Sequence, residues 1–550
     1  MNVLKAISLP PGQPCPRVEG RARVASELAG YLIDESRTTA KPVDAVFFPQ
    51  SVEHVCESVR ECACKGVTLT VAGARTGIVG GAVPVESRAV LALERMSHIL
   101  SLRWDEKQQA FSAHVEAGVI LADFQTALRT TPLHEFPWAD EESRAAGASV
   151  LQREGRRLFY PVDPTETSAQ IGGTVATNAS GARTYYYGAT RKWVEALTAV
   201  LASGEVLRLR RGEARASHGQ FVLRSADGRE TPVSIPPVEM PRTTKHTAGY
   251  CLSQDMDAVD LFVGSEGTLG IVTEVELRLA LEPRERLFMT ALLPSEAAAL
   301  DFVEGVRKCG LKVLAIEYFG PDSLSLLREK RREEGASSGV PALFSEGPGA
   351  RQDGSAVYIE VVFDGDDGFR HCCQGTEGLL KRCGTSPAET WAGLSPGDMA
   401  AMKAFRHALP EQVNTIIGRL KRDVPSIHKV GTDMAVPQER LRDVMALYRD
   451  ALAGAGLQYV IFGHIGDGHL HVNILPRNER ELEQALGLYE EFARRVAAMG
   501  GSVSAEHGIG RLKKRFLRIQ FEGQPEALKG MQAVKLAFDP QGMLNPGVLF

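Results

Sequence analysis

No Cys-x-x-Cys pair and no cysteine run with iron–sulfur spacing occurs among the nine cysteines of this sequence. That excludes the usual signatures of a built-in electron relay. Cys62 and Cys64 could together reach a metal, but ordinary core or surface thiols are the expected state. The odd count, with no apolar segment at the N-terminus, fits a reducing cytoplasm. Apolar runs of membrane-span length are also missing, so no transmembrane segment is expected; peripheral contact at the inner face of the membrane stays open. Neither sign of charge is in surplus: 63 basic residues face 68 acidic ones, a net charge of −5. No nucleic-acid footprint is implied, and Arg208 to Arg211 reads as a solvated strand end. No Gly-Lys-Ser/Thr closes any glycine loop, which excludes a Walker phosphate loop. Internal repeats are absent.

What is present is ordinary globular composition, 44% hydrophobic and 24% charged, in a chain of 550 residues that suits two to four domains. Residues 45–49 read as a short strand. Ser51 then caps a helix whose apolar spacing runs through Val52, Val55, Cys56 and Val59. Residues 67–71 are a β-branched strand running into a loop with Gly73, Gly77, Gly80 and Gly81. Glycine content alone fits two readings equally, backbone N–H groups pointing at a phosphate and a flexible surface loop. Pro84 follows, so this is not a G-x-G-x-x-G turn opening a helix.

A second small-residue run spans 168–181, after a rigid turn at Tyr160 to Pro164, and could lie against a flat ligand. Trp193 to Val206 reads as two strands around Ser203-Gly204. In the third segment, Leu261-Phe262-Val263 reads as a strand entering a Gly264-Ser265-Glu266-Gly267-Thr268 turn, with another strand leaving. The glycine segments stop near Pro283, which marks a domain boundary. Residues 333–356, and likewise 141–157, read as exposed polar insertions.

Two C-terminal stretches carry metal-binding chemistry: Gly463 to Asn473, with His464, His469 and His471, and Ser504 to Gly510, with Glu506 and His507. Two imidazoles and one carboxylate leave positions open on a divalent ion, a catalytic pattern rather than a structural one. His469, His471 and Asn473 alternate along an expected strand and share one face. His469 is read as supporting the site or the structure. His407 reads as packing, and His54 and His218 as surface residues.

These segments, in this order, resemble the FAD-linked D-2-hydroxy-acid dehydrogenase family. That group includes D-lactate dehydrogenase, the glycolate oxidase flavin subunit and D-2-hydroxyglutarate dehydrogenase. The resemblance implies an α+β chain: a two-subdomain PCMH-type FAD-binding domain at 41–283, after an N-terminal extension at 1–40. An α+β substrate (cap) domain with an antiparallel sheet follows at 284–525, and a tail at 526–550 returns to the FAD domain. It implies FAD held by Gly73, Ala74, Arg75, Thr76, Gly77, Gly80 and Gly81 in the first segment. Pro161, Gly172, Gly173, Thr177, Asn178, Gly181 and Gly188 follow from the second, with Gln170 where Thr or Ser is common. Glu266, Thr268, Ile271 and Asn545 complete the set. Covalent relatives carry a histidine near the first loop; none stands here, so the FAD is expected to be non-covalent. A short segment, Lys245 to Tyr250, also matches.

In the C-terminal half the resemblance implies a zinc or manganese ion on His464, His471 and Glu506. His507 becomes the general base, Arg406 the carboxylate grip, and Asn473 a neighbour of the substrate. The implied reaction takes a 2-hydroxy acid to the 2-keto acid by hydride transfer to flavin. The electron acceptor could be a quinone, a cytochrome, electron-transfer flavoprotein or oxygen. The expected assembly is a homodimer. Hydroxyglutarate enzymes place a lysine where this chain has Gly431, which favours a D-lactate-like monocarboxylate over D-2-hydroxyglutarate; glycolate is a further alternative. Two rival readings are a non-redox enzyme resembling alkyl-glycerone-phosphate synthase and a non-catalytic flavin-binding subunit.

Overall fold

Alternating burial along Ile271–Leu281 sets the centre of the first half of the chain. Val275, Leu277 and Leu279 point into the core, while Glu274 and Glu276 turn outward, the period-two pattern of a half-buried strand. In the computed structural model, which describes residues 13–344 and 353–550, this strand lies inside an antiparallel six-stranded sheet. Its neighbours are Ala110–Glu116 and Val194–Val200. Beside it stands a four-stranded sheet in the order Arg17–Glu19, Ala45–Phe47, Ala89–Ala92, Leu69–Ala72, parallel except for its first strand. The helix Val52–Cys64 packs on this sheet through Val55, Cys56, Val59 and Cys62, and Ser51 accepts from His54 N at 3.3 Å at its start.

The second half is built on an eight-stranded sheet whose strands pair antiparallel throughout the described residues. Its central strands Ser355–Phe363 and Lys312–Phe319 are buried along nearly their whole length. One glutamate interrupts each apolar run, Glu360 and Glu317. The tight loop Gly463 to Gly468 links two neighbouring strands, Tyr459–Gly463 and His469–Ile474, and so brings the histidine segment to one place. Gly463 adopts φ 124°, and a Cβ there would lie 2.9 Å from the His471 ring. The mixture of helix and sheet is the α+β architecture expected.

The chain end returns to its start. Leu69 N donates to Met543 O at 2.9 Å and Asn545 N to Leu69 O at 2.8 Å. The Asn545 amide accepts from Val71 N at 2.8 Å and donates to Glu266 O at 2.7 Å, clamping two of the glycine segments. Replacing Asn545 with alanine leaves both buried backbone groups unpaired. A loss of about 1–3 kcal/mol is expected, with earlier flavin release; flavin fluorescence during thermal melting measures both. Unchanged melting and release would show that the clamp is dispensable.

Four expectations are corrected. Residues 141–154 form the helix Glu141–Glu154, not a loop, capped by Asp140, which accepts from Ser143 N at 2.7 Å. Its polar residues face water, while Ser143, Gly147 and Leu151, four apart, face the core; the small size of two of these hid the stripe. Within 333–356, residues 345–352 lie outside the described residues. Those before them are the end of helix Pro321–Glu334 and two short 3-10 turns, with Phe344 stacked on Phe405. Residues Ala258–Phe262 are a helix rather than a strand, because Asp257 caps it by accepting from Val259 N at 3.0 Å. His54 is buried, its Nε2 2.9 Å from Gln13 O, whereas His218 is exposed.

Candidate functional site

The three glycine segments converge on one cavity of about 340 Å³. Gly73, Ala74, Arg75, Thr76, Gly77 and Gly81 line it from the first segment, Gly172, Gly173 and Thr177 from the second, and Glu266 and Ile271 from the third. Asn545 joins them from the tail. Thr76 to Val79 donate no backbone hydrogen bond to protein among the described residues, so their N–H groups are available to a ligand. Gln170 Oε1 is buried on the same wall without a partner. Arg75, at φ 62°, stacks over Tyr31 with its guanidinium 4.2 Å from the ring centroid, and donates to Gly73 O at 3.1 Å. It stiffens the loop from behind as well as lining the cavity.

Six expected residues stand behind this wall. Gly181 presses against the Asp163 carbonyl, where a Cβ would overlap. Asn178 accepts from Arg191 N at 2.9 Å, and Thr268 bonds the Tyr250 hydroxyl at 2.7 Å. Gly80 and Gly188 take positive φ in turns. Pro161 lines a second cavity of about 380 Å³ that shares Pro164 and Thr165 with the first.

Glu506 and His507 also line the first cavity. One donor atom from each of His464, His469, His471 and Glu506 can be chosen so that all four lie within 4.8 Å of one another. Two of the imidazoles are oriented from outside. His464 Nδ1 lies 2.6 Å from Glu317 Oε1, which leaves Nε2 3.4 Å from Glu506. His471 Nδ1 lies 3.3 Å from Thr432 O, with its Nε2 4.0 Å from Glu506 Oε2. His507 Nδ1 faces the buried Asp433 carboxylate at 3.2 Å. Asp433 also accepts from the Glu506 and His507 backbone N–H groups, at 3.1 and 3.0 Å, and from Lys513 Nζ at 2.8 Å.

Arg406 reaches the cluster indirectly. Its Nη2 donates to Glu317 Oε2 at 2.9 Å, so Glu317 ties this guanidinium to His464. Arg406 and His407 line the second cavity. Asn473 is buried beside Gly431, and a Cβ at 431 would lie 2.7 Å from Asn473 Oδ1.

Sequence reading did not assign roles to five charged residues here. Lys245 is fully buried, its Nζ 2.6 Å from Glu506 Oε1 and 3.5 Å from Asp467 Oδ2. With Glu317, Asp433 and Lys513 these complete the electrostatics. A lone glutamate within the apolar run 313–319 was the legible signal for Glu317. Lys245 and Lys513 carried none, since their partners are 261 and 80 residues away in sequence.

Burial alone would neutralise Glu506, but Lys245 and His464 outweigh it and hold the carboxyl well below its usual range. Burial likewise favours neutral His464; Glu317 and Glu506 overcome it and push the imidazole up to about 9. His471 and His469 are pushed down by burial and keep free lone pairs. Burial raises Asp467 to about 6, and neither of its oxygens has a hydrogen-bond partner. Glu266, raised by burial to about 7, accepts from Ile509 N and Gly510 N, both at 2.8 Å. That carboxyl joins the cavity wall to the Glu506-His507 segment.

Comparison with known proteins places this architecture. Residues 282–549 match the family model described as FAD linked oxidases, C-terminal domain, and residues 43–155 and 148–210 match an FAD binding domain. The chain belongs to the FAD-linked oxidases. This FAD-linked oxidoreductase is 26% identical to the glycolate oxidase subunit GlcD of Bacillus subtilis, over 94% of this chain and 92% of that one. It is 28% identical to a probable mitochondrial D-lactate dehydrogenase of Danio rerio, over 94% and 86%. It is 29% identical to the D-2-hydroxyglutarate dehydrogenase of Xanthomonas citri pv. viticola, over 94% and 90%. A solved structure of alkyldihydroxyacetonephosphate synthase superposes with a TM-score of 0.62 at 17% identity, covering 96% of this chain and 82% of that one, which shows a shared fold. Among the described residues no helix is long and apolar enough to cross a membrane.

The residues present fit FAD. Free N–H groups on the first loop suit the pyrophosphate, and the orphaned Gln170 oxygen suits a hydrogen-bonding edge of the ligand. The donor set also fits a divalent cation. Four carboxylates (Glu317, Asp433, Asp467, Glu506) meet three cationic side chains (Lys245, Arg406, Lys513), which leaves one negative charge in excess once His464 gives up the proton that Glu317 and Glu506 favour on it.

Proposed function

We propose that this protein is an FAD-dependent dehydrogenase oxidising a D-2-hydroxy acid with a single carboxylate, of D-lactate type, to the 2-keto acid, with a divalent ion held by His464, His471 and Glu506. The observation carrying this reading is the set of imidazoles and Glu506 within mutual reach of one another, with Glu506 and His507 also on the wall of the flavin cavity. When bound, FAD supplies the hydride acceptor and the ion a Lewis acid that lowers the hydroxyl pKa. Relatives named for D-lactate, D-2-hydroxyglutarate and glycolate support the substrate class.

His507 takes the proton of the substrate hydroxyl. With its Nδ1–H turned to Asp433, the opposite nitrogen is the free base, and Asp433 stabilises the charge that the ring gains. Arg406 uses one nitrogen on Glu317 and keeps the rest of its fork for the substrate carboxylate. Glu317 thereby couples substrate grip to the orientation of His464. Asn473 supplies an amide beside the substrate. A divalent ion would turn the single excess negative charge of the cluster into a single positive one, which suits a monoanion. The side chain of Asn473 fills the space above Gly431, so a second cationic grip does not enter there. A quinone, a cytochrome, electron-transfer flavoprotein or oxygen would serve as the external electron acceptor.

Anaerobic mixing with a panel of 2-hydroxy acids tests the reading. D-Lactate is expected to bleach the flavin absorbance, and L-lactate and D-2-hydroxyglutarate are expected to leave it. A chelator should abolish the bleaching, and added zinc or manganese should restore it. Bleaching by no member of the panel would remove the dehydrogenase reading, and chelator-resistant bleaching would remove the metal from it.

A further inference from the structure

His469 is fully buried, yet its Nδ1 has no protein partner and its Nε2 has only an off-line approach to Asp433 Oδ1 at 3.2 Å. Buried imidazoles are ordinarily satisfied, so this one calls for a physical cause. Its ring centroid lies 4.4 Å from that of His471 and 5.3 Å from that of His464. A donor atom of His469 belongs to the set within mutual reach of His464, His471 and Glu506. His469 and His471 stand two apart on the strand His469–Ile474 and so share a face.

The surroundings repeat a pattern. His464 turns one nitrogen to Glu317 and His471 turns one to the Thr432 carbonyl, each keeping the other for the cluster. His469 likewise has Nε2 3.2 Å from Asp433 Oδ1, though off line for a hydrogen bond, and Nδ1 without any protein partner. An oxygen acceptor behind each imidazole is how metal-ligating histidines are held. A core histidine serving packing alone would need none of this.

We propose that His469 is a fourth protein ligand, making the site three imidazoles and one carboxylate. The proposal rests on the metal-assisted reading above and adds a ligand to it. A set of three nitrogens and one oxygen favours zinc and similar late d-block ions over manganese, and disfavours magnesium and calcium, which take oxygen ligands. Four protein ligands would close a tetrahedral ion. A six-coordinate ion keeps two positions, the number that a chelating hydroxyl and carboxylate need. Asp433 then stands behind both a ligand, His469, and the base, His507, so one carboxylate sets the orientation of both.

X-ray absorption at the zinc edge of the zinc-loaded, FAD-containing protein counts imidazoles directly. Three are expected in the native protein and two in His469→Asn. Zinc affinity, measured against a competing chelating dye, should fall at least about tenfold in the variant, and the preference for zinc over manganese should shrink. Retained FAD absorbance and melting temperature show that the variant is folded. Two imidazoles in the native protein would overturn the proposal even if the variant fails to fold. So would an unchanged imidazole count in the variant. Those results leave the three-ligand reading standing, whereas a native protein that takes up neither zinc nor manganese overturns both.

Discussion

Replacing His507 with alanine is expected to slow substrate-dependent flavin reduction by about 10²–10⁴-fold, the range for loss of a positioned general base. FAD should remain bound, because the groups clamping the cavity do not include the imidazole. Asp433 accepts two backbone N–H groups and Lys513 whether or not His507 is present, so the loop 504–510 keeps its anchor. The variant is therefore expected to fold and to bind added zinc as the native protein does. Stopped-flow reduction at several pH values distinguishes base from scaffold. Loss of a base flattens the acid limb of the rate profile, whereas a structural defect lowers the rate equally throughout. A rate within threefold of the native protein would remove His507 from the mechanism.

Lys245→Met should produce the largest change in stability, about 3–5 kcal/mol in the metal-free protein, the usual cost of leaving a buried charge without its partner. The Lys245 ammonium is fully buried between Glu506 and Asp467. Methionine matches its length but supplies no charge. Glu506 would lose its closest cation, and Asp467, already without a hydrogen-bond partner, would lose its one ion pair among the described residues. A divalent cation should restore part of the loss, since it brings positive charge to the same carboxylate. Urea unfolding with and without zinc reads both effects. A variant as stable as the native protein would show that the carboxylates are neutral or solvated there, contrary to their surroundings.

The parts of this molecule legible in sequence are those whose partners lie close along the chain. Strand 69–72 and its glycine loop form one stretch, and so does the histidine run 464–471. Residues read there converge on one cavity or one cluster. The two misread helices have different causes. Ser143 and Gly147 concealed a helix because neither carries an apolar side chain. Leu261 and Phe262, a short apolar run, fit strand and helix equally, and the capping aspartate at 257 decided between them.

By itself the sequence determined the order of the FAD segments, the family to which the chain belongs, and the residue types available for binding a metal and moving a proton. Each depends on spacing within a short stretch, where backbone geometry leaves few alternatives. Only the tertiary structure decided how those residues are charged and held. Lys245 meets Glu506 across 261 residues, Glu317 meets His464 across 147, and Asp433 meets His507 across 74. Burial and a specific counter-charge set which imidazoles keep a free lone pair. Such pairs are made when segments distant in sequence fold together around one cluster, and no local pattern records them.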